Sequence, residues 1–165
     1  MIEIVDFKEE YSCELSKIIL SNLYTINIKD HGEDIINEIA KNFTESAIKN
    51  NFPKRTKCFV AIKDNEIMGT ASIDKFRGDN TGKKYIVLTV FVKLQNHHQG
   101  IGKILMEAIE NYAISIGVEE LIIPASVYAC EFYRKLGFDY LDGIKKQNEE
   151  KEYMLVKRYA KQKTI

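Results

Sequence analysis

The sequence predicts an α/β protein built on one mixed sheet with helices on both faces. Three observations carry that prediction. Residues 57–76 show a hydrophobic period of two around a turn pair, Asp64-Asn65, which marks a β-hairpin. Residues 85–92 form a β-branched and aromatic run, apolar on both faces, as suits a strand buried inside a sheet. Directly after it, Ile104, Leu105, Ala108, Ile109, Tyr112 and Ile116 recur at helical spacing, and a second apolar run, residues 119–125, follows. Strand, helix and strand joined by short links form a right-handed crossover, so these two strands should run parallel.

The remaining elements fall into place around this unit. Residues 2–5 read as a short strand, with Asp6 placed to cap a helix over about residues 8–23 whose apolar face is Tyr11, Leu15, Ile18 and Ile19. Residues 24–29 break the pattern. A second helix follows, with Ile35, Ile39, Phe43 and Ala47 four apart, and Pro53 marks that it has ended. Gly69 lies inside the second hairpin strand, where it marks a bulge. Residues 77–83 form a loop and lead into the strand of residues 85–92, so three strands make an antiparallel meander. After the crossover, Ala129, Phe132, Tyr133 and Leu136 give a short helix closed by Gly137 in the left-handed conformation. A strand opening at residues 138–142, a polar loop over 143–151 and a last strand over 152–159 complete the order β-α-α-β-β-β-α-β-α-β-β.

Composition narrows the function. The chain has 165 residues, enough for one domain with a real core, read here as spanning 1–165. Its 24 basic and 24 acidic residues leave no net charge, so nothing points to nucleic acid, and the Lys-rich end, 157–163, reads as a solvated tail. Cys13, Cys58 and Cys130 are odd in number and widely spaced, which gives neither a disulfide framework nor a metal site and suits a reducing, cytoplasmic setting. No apolar run reaches membrane length and no signal-peptide pattern opens the chain, so no membrane partner is expected.

Chemistry concentrates between the long strand and its helix, in His97-His98-Gln99-Gly100-Ile101-Gly102-Lys103. Glycines in a first helical turn let a ligand approach the backbone, and the first helix amides point outward with the positive end of the dipole. This is a site for phosphate or pyrophosphate, or else a tight turn serving only packing. A P-loop is excluded, because Ile104 follows Gly102-Lys103 and His97 stands where the first glycine belongs. A dinucleotide fingerprint is excluded too: residue 105 is Leu, and the next strand ends in Pro124-Ala125 without an acid.

Two segments together fit another pattern. Residues 92–102, VKLQNHHQGIG, resemble the Arg/Gln-x-x-Gly-x-Gly/Ala pyrophosphate loop of the GNAT superfamily of acyl-CoA-dependent N-acetyltransferases. Residues 125–138, with Ala129, Phe132, Tyr133, Gly137 and Phe138, resemble its C-terminal signature as found in many small bacterial members. The resemblance covers nearly the whole chain. It departs from the common pattern at Leu94, His97, His98 and Ser126, where Pro, Arg or Gln, Gly, and Asn are frequent.

The resemblance implies a GNAT fold whose two parallel central strands splay around acetyl-CoA as co-substrate, with no metal. It implies that Val90, Phe91 and Val92 line the pantetheine arm, the Val92 amide facing the thioester carbonyl. Gln99, Gly100, Ile101, Gly102 and Lys103 then supply amides to the pyrophosphate, His97 and His98 stand either beside it or in a solvated loop, and Ser126 adds to the cofactor site. Tyr133 matches the tyrosine near the CoA sulfur, where a phenol protonates the departing thiolate. The activity implied is transfer of an acetyl group to a primary amine, with a small molecule as the leading acceptor and a homodimer left open. A catalytically idle acyl-CoA-sensing module is the alternative. Cys130 reads as a packing residue, since no base stands at a recognisable spacing. For the general base the sequence offers Asp74, Glu38 or a water chain. Asp30, His31, Glu33 and Asp34 form either an acidic rim for a cationic amine or a solvated helix start.

Overall fold

The computed structural model describes residues 1–161. Seven strands form one mixed sheet in the order β1-β2-β3-β4-β5-β7-β6. They are β1 (Glu3–Asp6), β2 (Lys57–Lys63), β3 (Glu66–Lys75), β4 (Lys84–Val92), β5 (Glu120–Ala125), β6 (Asp139–Tyr140) and β7 (Tyr153–Arg158). Every neighbouring pair is antiparallel except β4 and β5, which are parallel as the crossover requires. Their pairing covers only Lys84↔Glu120, Tyr85↔Leu121 and Ile86↔Ile122, although both strands continue well beyond. From Val87 onward the sheet is parted.

Two apolar clusters hold the helices on opposite faces. On one face α5 (Ile101–Ser115) and α6 (Cys130–Lys135) bury Leu105, Met106, Ile109, Cys130 and Tyr133 against Ala71, Ile73, Val87, Leu121 and Ile123. On the other, α1 (Ser12–Asn22), α3 (Glu33–Ala40) and α4 (Glu45–Asn51) bury Leu15, Ile19, Ile36 and Ile48 against Cys58 and Val60. Alternate residues of β2 thus serve different cores, as strand pleating dictates.

The first helical region differs from the sequence expectation. Residues 24–29 do not break the helix. They form a π-turn, Leu23–Asn27, in which the Ile28 amide donates to the Leu23 carbonyl, and the backbone runs on into α2 (Ile28–His31). Leu23 and Ile28 stand five apart, the π period, which a search for three- and four-residue spacing misses. The second expected helix is two. A 3-10 turn, Lys41–Phe43, separates α3 from α4, and Thr44 caps α4 by accepting from the Ala47 amide at 3.1 Å. Asp6 does not cap α1; it ends β1 and pairs with Lys57 at 2.8 Å. The expected strand over 138–142 shrinks to β6, because Leu141–Gly143 form a 3-10 turn. Lys157 and Arg158 belong to β7 rather than to a solvated tail, whose Lys163 lies outside the described residues.

The bulge at Gly69 is present, between Ala61↔Gly69 and Ile62↔Ile67. A Cβ at Gly69 would stand 2.6 Å from the Phe91 carbonyl oxygen, so glycine here lets β3 and β4 approach. A further irregularity in β4 lies between Thr70↔Phe91 and Ser72↔Leu88, where Thr89 takes φ 56°. A β-branched residue in the left-handed region is an outlier that marks a built bulge.

Candidate active site

The parting of β4 from β5 opens a cleft of about 920 Å³. The strand register decides what faces it. The Lys93 amide donates to the Met68 carbonyl at 2.7 Å, so 68/93 is a hydrogen-bonded pair and Gly69/Val92 is not. Val92 therefore turns its N–H and C=O away from β3, into the gap. Its carbonyl accepts there from Asn22 Nδ2 at 2.9 Å and from His97 Nε2 at 2.8 Å. Two residues back along the strand, Val90 has the same orientation. With the Val92 carbonyl so occupied, the Val92 amide and the backbone groups of Val90 are what this edge leaves available to an added strand.

At one end of the gap stands the start of α5. Its N-cap, Gly100, is left-handed at φ 81°, and the first helical bond runs from the Ile104 amide to the Gly100 carbonyl. The amides of Ile101, Gly102 and Lys103 have no partner within the helix. Nothing lies within 4 Å of a Cβ built on Gly100, whereas one on Gly102 would meet Phe132 Cζ at 3.2 Å. The two glycines thus do different work: Gly100 supplies the turn and an open approach, and Gly102 lets α5 and α6 close up. His98 also adopts positive φ, 63°, a conformation that glycine takes without cost.

Of the residues predicted from sequence, Val90, Phe91, Val92, His97, His98, Gly100, Ile101, Gly102, Lys103, Ser126 and Tyr133 all line the cleft. Gln99 does not; its amide group is spent within the loop, on Asn96 Nδ2 at 3.2 Å and the Gln95 carbonyl at 3.4 Å. The His97 ring is also engaged. Because a carbonyl only accepts, Nε2 carries the hydrogen toward Val92, and in the neutral ring Nδ1 accepts from the Tyr128 hydroxyl at 3.3 Å.

Tyr133 reaches the cleft from α6 between Phe132 and Phe138, with ring centroids 5.1 and 6.3 Å away. It is 5% exposed, and burial raises its pKa well above the usual value for a phenol. Its hydroxyl has no hydrogen-bond partner among the described residues. The Ser126 hydroxyl accepts from the Ala129 amide at 3.2 Å and holds the turn that leads into α6. Cys130 is buried in the core, which fits a packing role.

The base candidates drawn from the sequence do not line the cleft. Asp74 accepts from the Thr56 amide and hydroxyl and from the Lys75 amide, and Glu38 is exposed and paired with Lys41. The acids of the α2–α3 connection are likewise absent from the lining, although His31 is present. The carboxylates in the lining are Glu150 and Glu152, in the loop before β7. Tyr153 pairs with Ala125, so Glu152 stands beside Ser126 at the end of β5. Burial pushes its carboxyl up to about 7, helped by the neighbouring Glu150 and opposed by Asn148, whose Nδ2 donates to it at 3.4 Å. In sequence this loop is only a polar connection, and nothing there distinguishes Glu152 from its neighbours.

A mixed sheet parted between two parallel strands, with helix amides at the mouth and a phenol on the wall, is the arrangement that the sequence resemblance implies for a transferase. The chain belongs to the acetyltransferase (GNAT) family, whose family model matches residues 20–138. Among solved structures it is similar to the PaiA N-acetyltransferase of Thermoplasma acidophilum in complex with coenzyme A. That match has 17% identity over 96% of this chain and 99% of that one, with a TM-score of 0.80. A probable acetyltransferase of Staphylococcus epidermidis matches at 22% identity, over 97% and 100% of the two chains, with a TM-score of 0.71. The N-acetylglutamate synthase of Neisseria gonorrhoeae, complexed with coenzyme A and N-acetyl-glutamate, matches at 15% identity, over 96% and 35%, with a TM-score of 0.72. No curated protein sequence matches the chain significantly. Among the described residues no helix is long and apolar enough to cross a membrane, and no cluster of His, Cys, Asp and Glu could hold a metal ion.

Proposed function

We propose that the protein is an acetyl-CoA-dependent N-acetyltransferase acting on the primary amine of a small molecule. The observation that carries this reading is the parted sheet: the gap-facing edge of β4 ends at the unpaired amides of α5, with Tyr133 on the wall between. The pantetheine arm of acetyl-CoA pairs with Val90 and Val92 as an added strand. Its pyrophosphate rests on the amides of Ile101, Gly102 and Lys103, where the helix dipole favours anions.

Glu152 takes a proton from the acceptor ammonium; a carboxyl titrating near 7 is matched to that task at neutral pH. The freed nitrogen attacks the thioester carbonyl carbon, and an amide on the β4 edge, Val92 or its alternate neighbour Val90, stabilises the oxygen as it becomes negative. The C–N bond forms, the C–S bond breaks, and Tyr133 gives its proton to the departing sulfur. Its raised pKa keeps that proton on oxygen until the sulfur carries charge. The surplus proton on the new amide nitrogen passes to the Tyr133 oxygen, and the proton held by Glu152 goes to solvent, so the cycle closes with one proton released and no other reactant. The test is amine-dependent release of free thiol from acetyl-CoA across a panel of primary amines, with the mass of the acetylated amine measured alongside. Thiol release that does not depend on the amine would contradict the proposal.

A further inference from the structure

Arg55 has no role in the acetyl-transfer scheme, yet it lines the same cleft. It sits just before β2 and is stacked on Phe52, with its guanidinium carbon 4.3 Å from the ring centroid. Its Nη1 donates to Ser72 Oγ at 2.7 Å and to Thr89 Oγ1 at 2.8 Å. The Ser72 hydroxyl passes its own hydrogen to the Leu88 carbonyl at 2.9 Å. Nη1 carries two hydrogens, and both are used. The Nε–H and the Nη2 group, which form the edge that binds planar anions side-on, have no partner among the described residues.

Arg55 also makes no ion pair among the described residues, and burial lowers its pKa. The Asp74 carboxylate offsets part of the cost of burial from beyond ion-pair distance, but the Nε and Nη2 edge of this half-buried, permanently charged group is left without a direct partner. A second unsatisfied group lies in the same cleft. His31 is 5% exposed, and its Nδ1 has no hydrogen-bond partner. Two buried or half-buried polar groups left unpaired in one apolar-walled cleft point to a ligand that completes them.

The place along β4 tells which ligand. Arg55 is fixed at Thr89, three residues and so roughly 10 Å before the end of the strand, and further still from the α5 amides that suit pyrophosphate. It lies on the β4 side of the gap, at the bulge where the strands have just parted. Glu152 lies across the gap, on the β5–β7 side. Resting on the proposed acetyl-transfer reading, we infer that Arg55 anchors the acceptor, and that the acceptor is an amine bearing a carboxylate, held edge-on by Nε and Nη2 while its amino group faces Glu152.

The experiment compares L-amino acids with their matched amides as acceptors, by thiol release. Each pair differs only in the charge that Arg55 would bind. The wild-type protein should show kcat/KM at least about tenfold higher for the acids that it uses. In Arg55→Gln that acid-to-amide ratio should fall to near one, with the KM for acetyl-CoA within about twofold of wild type. Because the ratio is taken within one variant, a loss of folded protein cannot mimic the result. Equal use of acid and amide by the wild type, or a ratio unchanged in Arg55→Gln, overturns the inference. Turnover confined to uncharged amines or polyamines also overturns it, while leaving the acetyl-transfer reading intact. Should no amine be acetylated, a thermal-shift comparison of N-acetylglycine with N-acetylglycinamide in the presence of CoA decides between the two claims. Stabilisation by the acid alone, lost in Arg55→Gln, upholds the anion subsite without turnover, and no difference overturns it.

Discussion

Gly100→Ala separates what the glycine turn does for the fold from what it does for the cofactor. Gly100 has φ 81° and ψ 4°, and a Cβ built on it meets nothing within 4 Å. The cost to the free protein is therefore backbone alone, about 1–2 kcal/mol for a side chain held in the left-handed region. At about 2–4 °C per kcal/mol for a protein of this size, the Tm should fall by about 2–8 °C. Gly82→Ala is the matched control: its φ is 72°, its Cβ also meets nothing, and it lies in the β3–β4 loop outside the cleft. Both variants should lose similar stability. Only Gly100→Ala should lose CoA affinity, because in the proposed complex its methyl group would stand where the pyrophosphate meets the α5 amides. Losing one hydrogen bond to a charged group costs about 1.5–3 kcal/mol, which is about tenfold or more in Kd. Calorimetric titration with CoA reads this directly. Equal CoA affinity in the two variants, with equal loss of Tm, would refute the placement of the pyrophosphate.

Two further predictions bear on the chemistry. Tyr133→Phe keeps the ring that packs between Phe132 and Phe138 and removes only the hydroxyl. It should lower kcat by about 10²–10⁴ and leave the Kd for acetyl-CoA nearly unchanged; full turnover in steady-state assays would remove the acid role. Glu152 should impose an acid limb on kcat/KM, with activity falling below about pH 7 as the carboxyl takes up a proton, and Glu152→Gln should abolish that limb. The sign for stability is opposite. The folded state holds this proton more tightly than the unfolded chain, so stability falls as pH rises from about 4.5 to about 7, and Glu152→Gln should flatten that slope in melting curves.

The parts legible in the sequence are those where period and chemistry agree. The β2–β3 hairpin, the β4–α5–β5 crossover and the α6 turn at Gly137 each combine a clear hydrophobic period with a turn residue that fixes the direction. The first helical region was less legible, because a π-turn at Leu23–Asn27 shifts the apolar face by one position and a 3-10 turn at Lys41–Phe43 splits one apparent stripe into two helices. The cofactor side of the site is local in sequence, from Val90 to Lys103, and so could be read as a motif. The acceptor side is assembled from Arg55, His31 and Glu152, far apart in the chain and joined only by the folded sheet. Arg55 in sequence is one cation among many; its meaning comes from Ser72, Thr89 and Phe52 around it.

The gap between β4 and β5 as the CoA cleft is the centre of the account, and residue-resolved amide hydrogen exchange with and without CoA tests it most directly. Val90 and Val92 turn their amides into the gap, and Ile101, Gly102 and Lys103 have none within the helix to bond. These five amides should gain protection when CoA binds, while those of Thr70 and Phe91, already paired with each other across β3 and β4, should not change. CoA binding that leaves the five unchanged, or protects a different surface, would contradict the account.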